Sequence, residues 1–471
     1  METITNFLSN SLFQYPRRKT PEVIGLHITM SPACSHAVGL PEIVAAILEQ
    51  LNNTKALFAA LQVNKLWADE ATTLLWRVDP PILALARIED AERLQYYADK
   101  ISSLYLRYFE NEDDAYKNQM KLRSLRFPRL NRLRTEQPGG KGEQVFLKYL
   151  QPNLRTFEPF GLPMSKFLME QIQERCPALR SLWIDNQDGR CTTNDLMQFL
   201  NGMPSLTSIC LIDSREEIIS DEVFVHLASR PNLAALCLYP VLKLSFINGM
   251  QDMVDQPLPE LVYLRYLSES KAFSQLSHYL TSLTDLDLRL VDAASKTVFD
   301  ICSCTSLVNL SLDFDYPHFD AKSNFPPECL LALAKSCPQL QDLKVVHSRL
   351  CEVDGGDTTN ITDDVIQDFV TLLPGLSCLN LTPKTNLTYR ALEILGNGCA
   401  NLKECRFEGK SFNLRLLESN GPVLFPQLEF LALKPTEEGL SAAMAIERFL
   451  HHAPRIKVLA LENSRWDARD A

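Results

Sequence analysis

A short phrase, P-x-L-x-x-L-x-L, recurs along most of this chain and constrains its fold more than any other feature. One copy reads CPALRSLWI at 176–184. If the first apolar residue of L-x-x-L-x-L is taken as an anchor, fourteen anchors lie between Ile101 and Ile456, at a mean spacing of about 27 residues. The second position is apolar in all fourteen copies, and the third fails only at Thr135 and Pro159. So regular a pattern indicates one repeated unit rather than several unrelated domains.

The phrase predicts one strand per repeat, with a helix between phrases. The two leucines of L-x-L are two residues apart and point to one face of a strand. Segments such as SDEVFVHLASR and TDDVIQDFVTLL have helical apolar spacing and begin near Ser, Thr or Asp, which suit helix starts. A strand and a helix cannot bury their apolar sides alone, but stacked neighbours can. The period is the leucine-rich-repeat signature, and we expect an α/β leucine-rich-repeat solenoid, curved, with a parallel sheet on its concave side and helices outside.

Composition narrows the function classes. The net charge of −11 argues against a nucleic-acid surface, and the basic stretch at 121–134 is interpreted as repeat surface. No run approaches the roughly 18 apolar residues that cross a bilayer, and the first residues lack the order of a signal peptide. Thirteen cysteines without framework spacing are typical of reduced thiols. We expect a cytoplasmic or nuclear protein that binds neither nucleic acid nor membrane.

Catalytic and metal-binding motifs are not found in the sequence. GGKGE at 139–143 lacks the spacing of a phosphate-binding loop, and neither G-x-S-x-G nor H-E-x-x-H occurs. Cys302 and Cys304 have no second pair at zinc spacing. We therefore predict that the protein is not an enzyme and has no cofactor and no metal site. The role of the acidic loop at 351–364, in the longest gap between anchors, stays open.

A short helical module precedes the repeats. Residues 40–67 read LPEIVAAILEQLNNTKALFAALQVNKLW. Pro41 suits the first turn of a helix, and the apolar residues after it follow helical spacing. NNT breaks this helix, and Thr54 is expected to cap the next one. A third helical segment, NKLWADEATTLLWRV, ends before Pro80. These features predict three short helices.

The sequence of this module resembles an F-box over roughly residues 38–79. The matching features are Leu40-Pro41 before an apolar helix, Ile47-Leu48, Leu51, Val63-x-Lys65-x-Trp67 and Leu75-Trp76. An F-box followed by leucine-rich repeats resembles the substrate receptors of SCF cullin–RING ubiquitin ligases, and NKLWADEATTLLWR is similar to fungal members. The resemblance divides the chain into four parts. The N-terminal segment, whose order stays open, is 1–37, and the F-box-like module is 38–79. A connector at 80–100 leads to a solenoid of about fourteen repeats at 101–471.

The resemblance also implies partners. The F-box would dock on a Skp-type adaptor and through it on the cullin–RING ligase, while the repeats hold a protein substrate, with the chain acting as one copy in the complex. The adaptor-binding residues would be Leu40, Pro41, Ile43, Ile47, Leu48 and Val63, and Trp67 would chiefly pack the module. The substrate's identity, and whether a modification on it is recognised, stay open. The alternative is a leucine-rich-repeat interaction scaffold without a ligase role, in which the front helices only cap the first repeat.

Strand alternation predicts where a substrate would bind. Positions two, four and six after each anchor point away from the core leucines. They place aromatic residues beside aspartates, which is typical of an interaction surface with a preference for a basic partner. The predicted substrate-binding residues are Phe160, Trp183, Tyr239, Tyr263, Arg265, Asp287, Arg289 and Asp313. The alternative is that a loop or the C-terminal tail covers this face.

Overall fold

The computed structural model describes most of the repeat array and the front module. The residues it describes are 39–51, 53–106, 122, 124–136, 143–162, 164–185, 190–212, 218–292, 296–314, 325–346, 361–409, 412, 421–433, 449–461 and 464–467. The N-terminal segment 1–37 and most of the acidic loop, 351–360, lie outside these residues. The chain forms two compact units, 1–206 and 207–471. Each unit is an α/β stack of leucine-rich repeats, as the repeat phrase predicts.

The first unit contains the front module and four strands. Its helices are α1 (Pro41–Glu49), α2 (Thr54–Ala60), α3 (Lys65–Arg77), α4 (Ile82–Ala86), α5 (Ala91–Ala98), α6 (Glu143–Phe146), α7 (Lys166–Arg175) and α8 (Thr193–Gly202). A 3-10 turn at Leu147–Tyr149 extends α6. Its strands are β1 (Ser103–Leu106), β2 (Arg132–Glu136), β3 (Thr156–Phe160) and β4 (Ser181–Asp185). Neighbouring strands pair in parallel in chain order.

The second unit contains the remaining repeats. Its helices are α9 (Asp221–Ala228), α10 (Leu244–Met253), α11 (Ser270–Leu276), α12 (Lys296–Ile301), α13 (Pro327–Ser336), α14 (Asp363–Leu372) and α15 (Tyr389–Gly398), with a 3-10 turn at Ser277–Tyr279. Its parallel strands are β5 (Ser208–Ile212), β6 (Ala235–Leu242), β7 (Tyr263–Ser268), β8 (Asp285–Leu290), β9 (Asn309–Phe314), β10 (Asp342–Val346), β11 (Cys378–Thr385), β12 (Glu404–Gly409), β13 (Phe430–Leu433) and β14 (Val458–Leu461). A short strand that the phrase did not predict, β15 (Ser464–Asp467), pairs antiparallel with β14.

The repeat register agrees with the sequence. Each of the fourteen strands β1–β14 begins two residues after its anchor. All fourteen anchors are buried, and the most exposed of them, Ile456, is only 5% exposed. Equivalent positions pair across strands, as Leu286 does with Leu310. The two exceptions to the phrase, Thr135 and Pro159, are buried as well. Alternation along each strand therefore decides which side chains enter the core.

Several repeat helices begin with a polar capping residue of the type that the sequence predicts, such as Ser or Thr. Ser165 Oγ accepts a hydrogen bond from the Leu168 amide at 3.1 Å. At α8, Thr192 and Asp195 form a reciprocal capping box. Each cap satisfies a backbone N–H that would otherwise lack a partner at the helix start. No helix among the described residues is long and apolar enough to cross a bilayer.

Candidate interaction surfaces

The front module folds as three helices with a core of its own. Two asparagines start α2 and α3: Asn53 Oδ1 accepts from the Ala56 amide at 2.7 Å, and Asn64 Oδ1 accepts from the Trp67 amide at 3.0 Å. The cap of α2 is therefore Asn53, and Thr54, the cap expected from the sequence, is the first helical residue. Asn and Thr are both good helix caps, so the sequence alone did not show which of the two residues caps α2.

The core of the module takes one face of α1. Val44 and Leu48 are 0% and 1% exposed and pack with Ala60 and Ala71. Trp67 packs against this core, as the resemblance implied. Leu48 was assigned to the adaptor contacts, but its side chain points inward, because it lies one helical turn after Val44. Its place in the structure is that of a core residue.

Four of the apolar side chains that the resemblance assigns to adaptor binding are exposed to solvent. We call them the exposed row: Leu40 and Ile43 are 41% exposed, Ile47 is 39% exposed and Val63 is 57% exposed. Pro41 is exposed beside them. Ile43 and Ile47 are four residues apart and so share a face of α1. Five of the six residues that the resemblance assigns to adaptor binding are therefore accessible to a partner.

Polar and aromatic contacts join the module to the connector that precedes the first repeat. Lys100 Nζ lies 2.8 Å from Asp69 Oδ1, and Tyr96 Oη donates to the same oxygen at 2.5 Å. These hydrogen bonds, from Lys100 first and then from Tyr96, hold the pKa of Asp69 below its ordinary value. The Trp76 and Tyr97 rings stack at a centroid distance of 4.5 Å. The module is thus held to α5 by its third helix.

An aromatic and charged cluster lies on the strand face of the first unit. The Phe160 and Trp183 rings are 4.4 Å apart, and the Arg134 guanidinium lies 5.5 Å from the Phe160 centroid. Glu158 is only 6% exposed, and its carboxylate lies 2.9 Å from Arg132 and 3.1 Å from Arg134. Glu158 was not among the predicted residues. It stands four residues after its anchor, so the same alternation could have identified it.

A second cluster lies on the strand face of the second unit. We call it the tyrosine face, defined as Tyr239, Tyr263, Arg265 and Asp287. Arg265 Nε lies 3.1 Å from Asp287 Oδ2, and the guanidinium lies 5.7 Å from the Tyr239 centroid. Both tyrosines are half-buried, and burial raises the pKa of Tyr263 to about 12. The ion pair therefore holds the arginine beside the rings.

The remaining predicted charges pair with each other. Arg289 Nε lies 3.0 Å from Asp313 Oδ2, and Asp313 is only 9% exposed. Residue 289 faces 313 across β8 and β9, as Arg265 faces Asp287 across β7 and β8. A preference for a basic partner was expected from the aspartates. The cross-strand arginines offset two of these charges, so this face carries less net negative charge than the aspartates alone suggest.

The structure places the eight predicted substrate-binding residues in two groups. Phe160 and Trp183 belong to the first unit. The tyrosine face and the Arg289–Asp313 pair belong to the second unit. Within each group the side chains are neighbours on adjacent strands, and each group is a separate candidate surface. Among the described residues, no group of three or more His, Cys, Asp or Glu is arranged to hold a metal ion.

Comparisons with known proteins concern the fold alone. No protein-family model matches the sequence, and no curated protein matches it significantly. Solved structures that resemble the chain include the following three. LegL7 from Legionella pneumophila, a leucine-rich-repeat-containing protein, is 15% identical over 58% of this chain and 88% of its own, with a TM-score of 0.35. The Rad7 and Elc1 complex of yeast is 12% identical over 92% of this chain and 93% of its own, with a TM-score of 0.43. The internalin inlF from Listeria monocytogenes is 11% identical over 75% of this chain and 94% of its own, with a TM-score of 0.36.

Proposed function

We propose that this protein is the substrate-recognition subunit of an SCF-type ubiquitin ligase, in which the front module binds a Skp-type adaptor and the repeats bind a protein substrate. The observation that carries the proposal is the exposed row. Helix α1 buries Val44 and Leu48 in the module's core, yet it keeps Ile43 and Ile47 in solvent. A short helix with apolar residues on both its inner and outer faces is typical of one that docks on a partner.

The capping alternative is supported by a different set of contacts. The module meets the connector before the first repeat through α3 and α5, by Asp69 with Lys100 and by Trp76 with Tyr97. A cap explains these contacts but leaves the exposed row without a role. Adaptor binding explains the exposed row and is compatible with the attachment to the repeats. We therefore prefer the ligase function over a scaffold whose front helices only cap.

In this function the protein contributes proximity rather than chemistry. It would hold a substrate so that its lysines lie near the ubiquitin-conjugating enzyme of the ligase, which raises their effective concentration. We propose that no catalytic residue and no cofactor of this chain takes part. The cullin would be reached through the adaptor, with one copy of the chain in each complex.

The tyrosine face is the substrate surface that we prefer. Tyr239 and Tyr263 offer large apolar areas with few rotamers to order, which is typical of binding hot spots. Arg265 is already held by Asp287 at 3.1 Å, so little side-chain entropy is lost when a partner binds. The Phe160–Trp183 pair of the first unit is the second candidate surface.

Ile47→Glu tests the adaptor site. We expect it to weaken binding of a purified Skp-type adaptor at least about tenfold, because a carboxylate would be buried in an apolar contact. The affinity can be measured by biolayer interferometry. The melting temperature should change little, since Ile47 is 39% exposed in the free protein.

Met253→Glu is the matched control for this test. Met253, in α10, is 75% exposed, and its replacement introduces the same charge far from the module in sequence. It should leave adaptor affinity unchanged. Equal adaptor binding by Ile47→Glu and the wild-type protein would rule out the exposed row as the adaptor site.

A double variant, Tyr239→Ala with Tyr263→Ala, tests the substrate surface. We expect the labelling of candidate substrates by a proximity-labelling fusion to fall at least about fivefold, because each truncated hot-spot residue typically costs more than about 1 kcal/mol. Binding of the adaptor should be retained. Tyr279→Ala is the control, since it removes a tyrosine of the same repeat from a 3-10 turn outside the strands. Unchanged labelling by the double variant would exclude the tyrosine face and shift attention to Phe160 and Trp183.

A further inference from the structure

Two cysteines lie side by side on adjacent strands of the second unit. Cys210 of β5 is the register partner of Cys237 of β6, and both are reduced thiols. Adjacent strands are about 4.8 Å apart, which falls within the Cα–Cα range of roughly 4.4–6.8 Å that a disulfide spans. Both residues lie four positions after their anchors, so their side chains point to the same face of the sheet. The register therefore places the two residues within the Cα separation that a disulfide spans.

The surroundings of Cys237 favour a reactive thiol. Its side chain is half-buried, whereas Cys210 is only 2% exposed. Arg265 is its register partner on β7. The hydrogen bond with Cys210 is the main cause that lowers the pKa of Cys237, and Arg265 adds to it, against burial and the charge of Asp287. Tyr239 also lies close, and its neutral phenol adds no charge at neutral pH.

We propose that Cys210 and Cys237 form a reversible disulfide by exchange with a low-molecular-weight disulfide of the glutathione class. The Cys237 thiolate attacks one sulfur of the reagent, its S–S bond breaks, and one reagent thiol leaves. The Cys210 thiol then loses its proton and attacks the Cys237 sulfur of the mixed disulfide, which releases the second reagent thiol. Two protein thiols are oxidised and one reagent disulfide is reduced to two thiols. This inference goes beyond the proposed function and does not depend on it.

The other cysteines that the structure describes in the second unit lack this arrangement. Cys378 and Cys405 lie on adjacent strands, but Cys405 is paired with Leu379 and so is one position out of register with Cys378. A shift of one residue puts the two side chains on opposite faces of the sheet. Burial raises the pKa of Cys304 and of Cys337 to about 12, which keeps both thiols protonated. Exchange is therefore selective for the register pair.

Peptide mapping of the full-length protein tests the proposal. After incubation with glutathione disulfide at mildly alkaline pH, trypsin should release the peptides 191–215 and 216–243 joined by a disulfide that dithiothreitol reverses. Fragment ions must assign the bond, because Cys191 shares the first peptide with Cys210. Cys210→Ser should stop the exchange at a stable mixed disulfide on Cys237. Cys237→Ser should abolish both products, and the buried-thiol control Cys304→Ser should leave the bond unchanged.

A second measurement needs no variant. Phenylarsine oxide binds two neighbouring thiols, so one equivalent added to the wild-type protein should protect Cys210 and Cys237 together from alkylation. Modification of the half-buried Cys302 before Cys237 would overturn the proposal. Protection of any other cysteine pair by phenylarsine oxide would also overturn it. In the exchange experiment, the proposal would fail if Cys210→Ser kept the wild-type circular dichroism spectrum but did not accumulate the mixed disulfide.

Discussion

Replacing Leu286 with alanine is expected to lower the free energy of unfolding by about 2–5 kcal/mol, the usual cost of a cavity in a packed core. Leu286 is 2% exposed in β8, between its register partners Leu264 and Leu310. Chemical denaturation followed by circular dichroism measures the loss. Because each repeat is stabilised by its neighbours, hydrogen exchange should also rise in β7 and β9.

Val262→Ala is the control within the neighbouring repeat. Val262 is 41% exposed and precedes β7, so its truncation should change stability by no more than about 0.5 kcal/mol. If Leu286→Ala cost no more than Val262→Ala, the strand would not bury the side that its register assigns to the core.

Asp69→Asn should lower the free energy of unfolding of the first unit by about 2 to 3 kcal/mol at pH 7, as measured by chemical denaturation. Lys100 is 8% exposed and would keep its charge without its carboxylate partner. The cost stays below the range for fully buried pairs, because the Asp69 side chain is 49% exposed. Adding Lys100→Met to the variant should restore part of the stability, since it removes the orphaned charge.

A surface ion pair supplies the control for the Asp69 variant. Glu49 and Arg77 are 2.7 Å apart, but their side chains are 48% and 44% exposed. Glu49→Gln should therefore cost less than about 1 kcal/mol. Equal costs for Glu49→Gln and Asp69→Asn would contradict the structural role of the Asp69–Lys100 pair.

The Asp69 effect has a defined pH dependence. The pKa of Asp69 in the folded protein is lowered, first by the Lys100 hydrogen bond and then by that of Tyr96. The stabilisation is therefore fully present above the ordinary aspartate pKa of about 4 and is lost as the pH falls through the lower folded value. The stability difference between wild type and Asp69→Asn should be constant from about pH 5 to 8 and shrink below about pH 4.

The repeats were predictable because their signal is local. Leucines two residues apart must share a strand face, so anchors such as Leu283 and Leu307 locate their strands from a few neighbouring residues. The ion pairs Arg265–Asp287 and Arg289–Asp313 depend instead on the register between repeats of different length. Aligning the repeat phrases gives that register. Alternation within one strand, however, places each side chain on a face and does not identify its partner on the next strand.

The module shows what could not be predicted. Its three helices follow from apolar spacing and from breaks at NNT and Pro80. Which face of α1 turns inward depends on how α2 and α3 fold back, so the burial of Leu48 in the module's core could not be predicted. The Asp69–Lys100 contact joins residues 31 apart in sequence, and nothing within either local segment indicates it. The register pairing of Cys210 with Cys237 was not predicted, because cysteine was interpreted only as a small core residue.

The antiparallel strand β15 has a consequence for self-association. A parallel array ends in a strand whose outer N–H and C=O groups could recruit an extended segment from another molecule. In the second unit that edge, β14, is already paired with Ser464–Asp467 over four residue pairs. The outer edge of β15 is only four residues long, which is too short to template a long sheet between chains. The strand therefore occupies the backbone groups of β14 that could otherwise pair with another molecule.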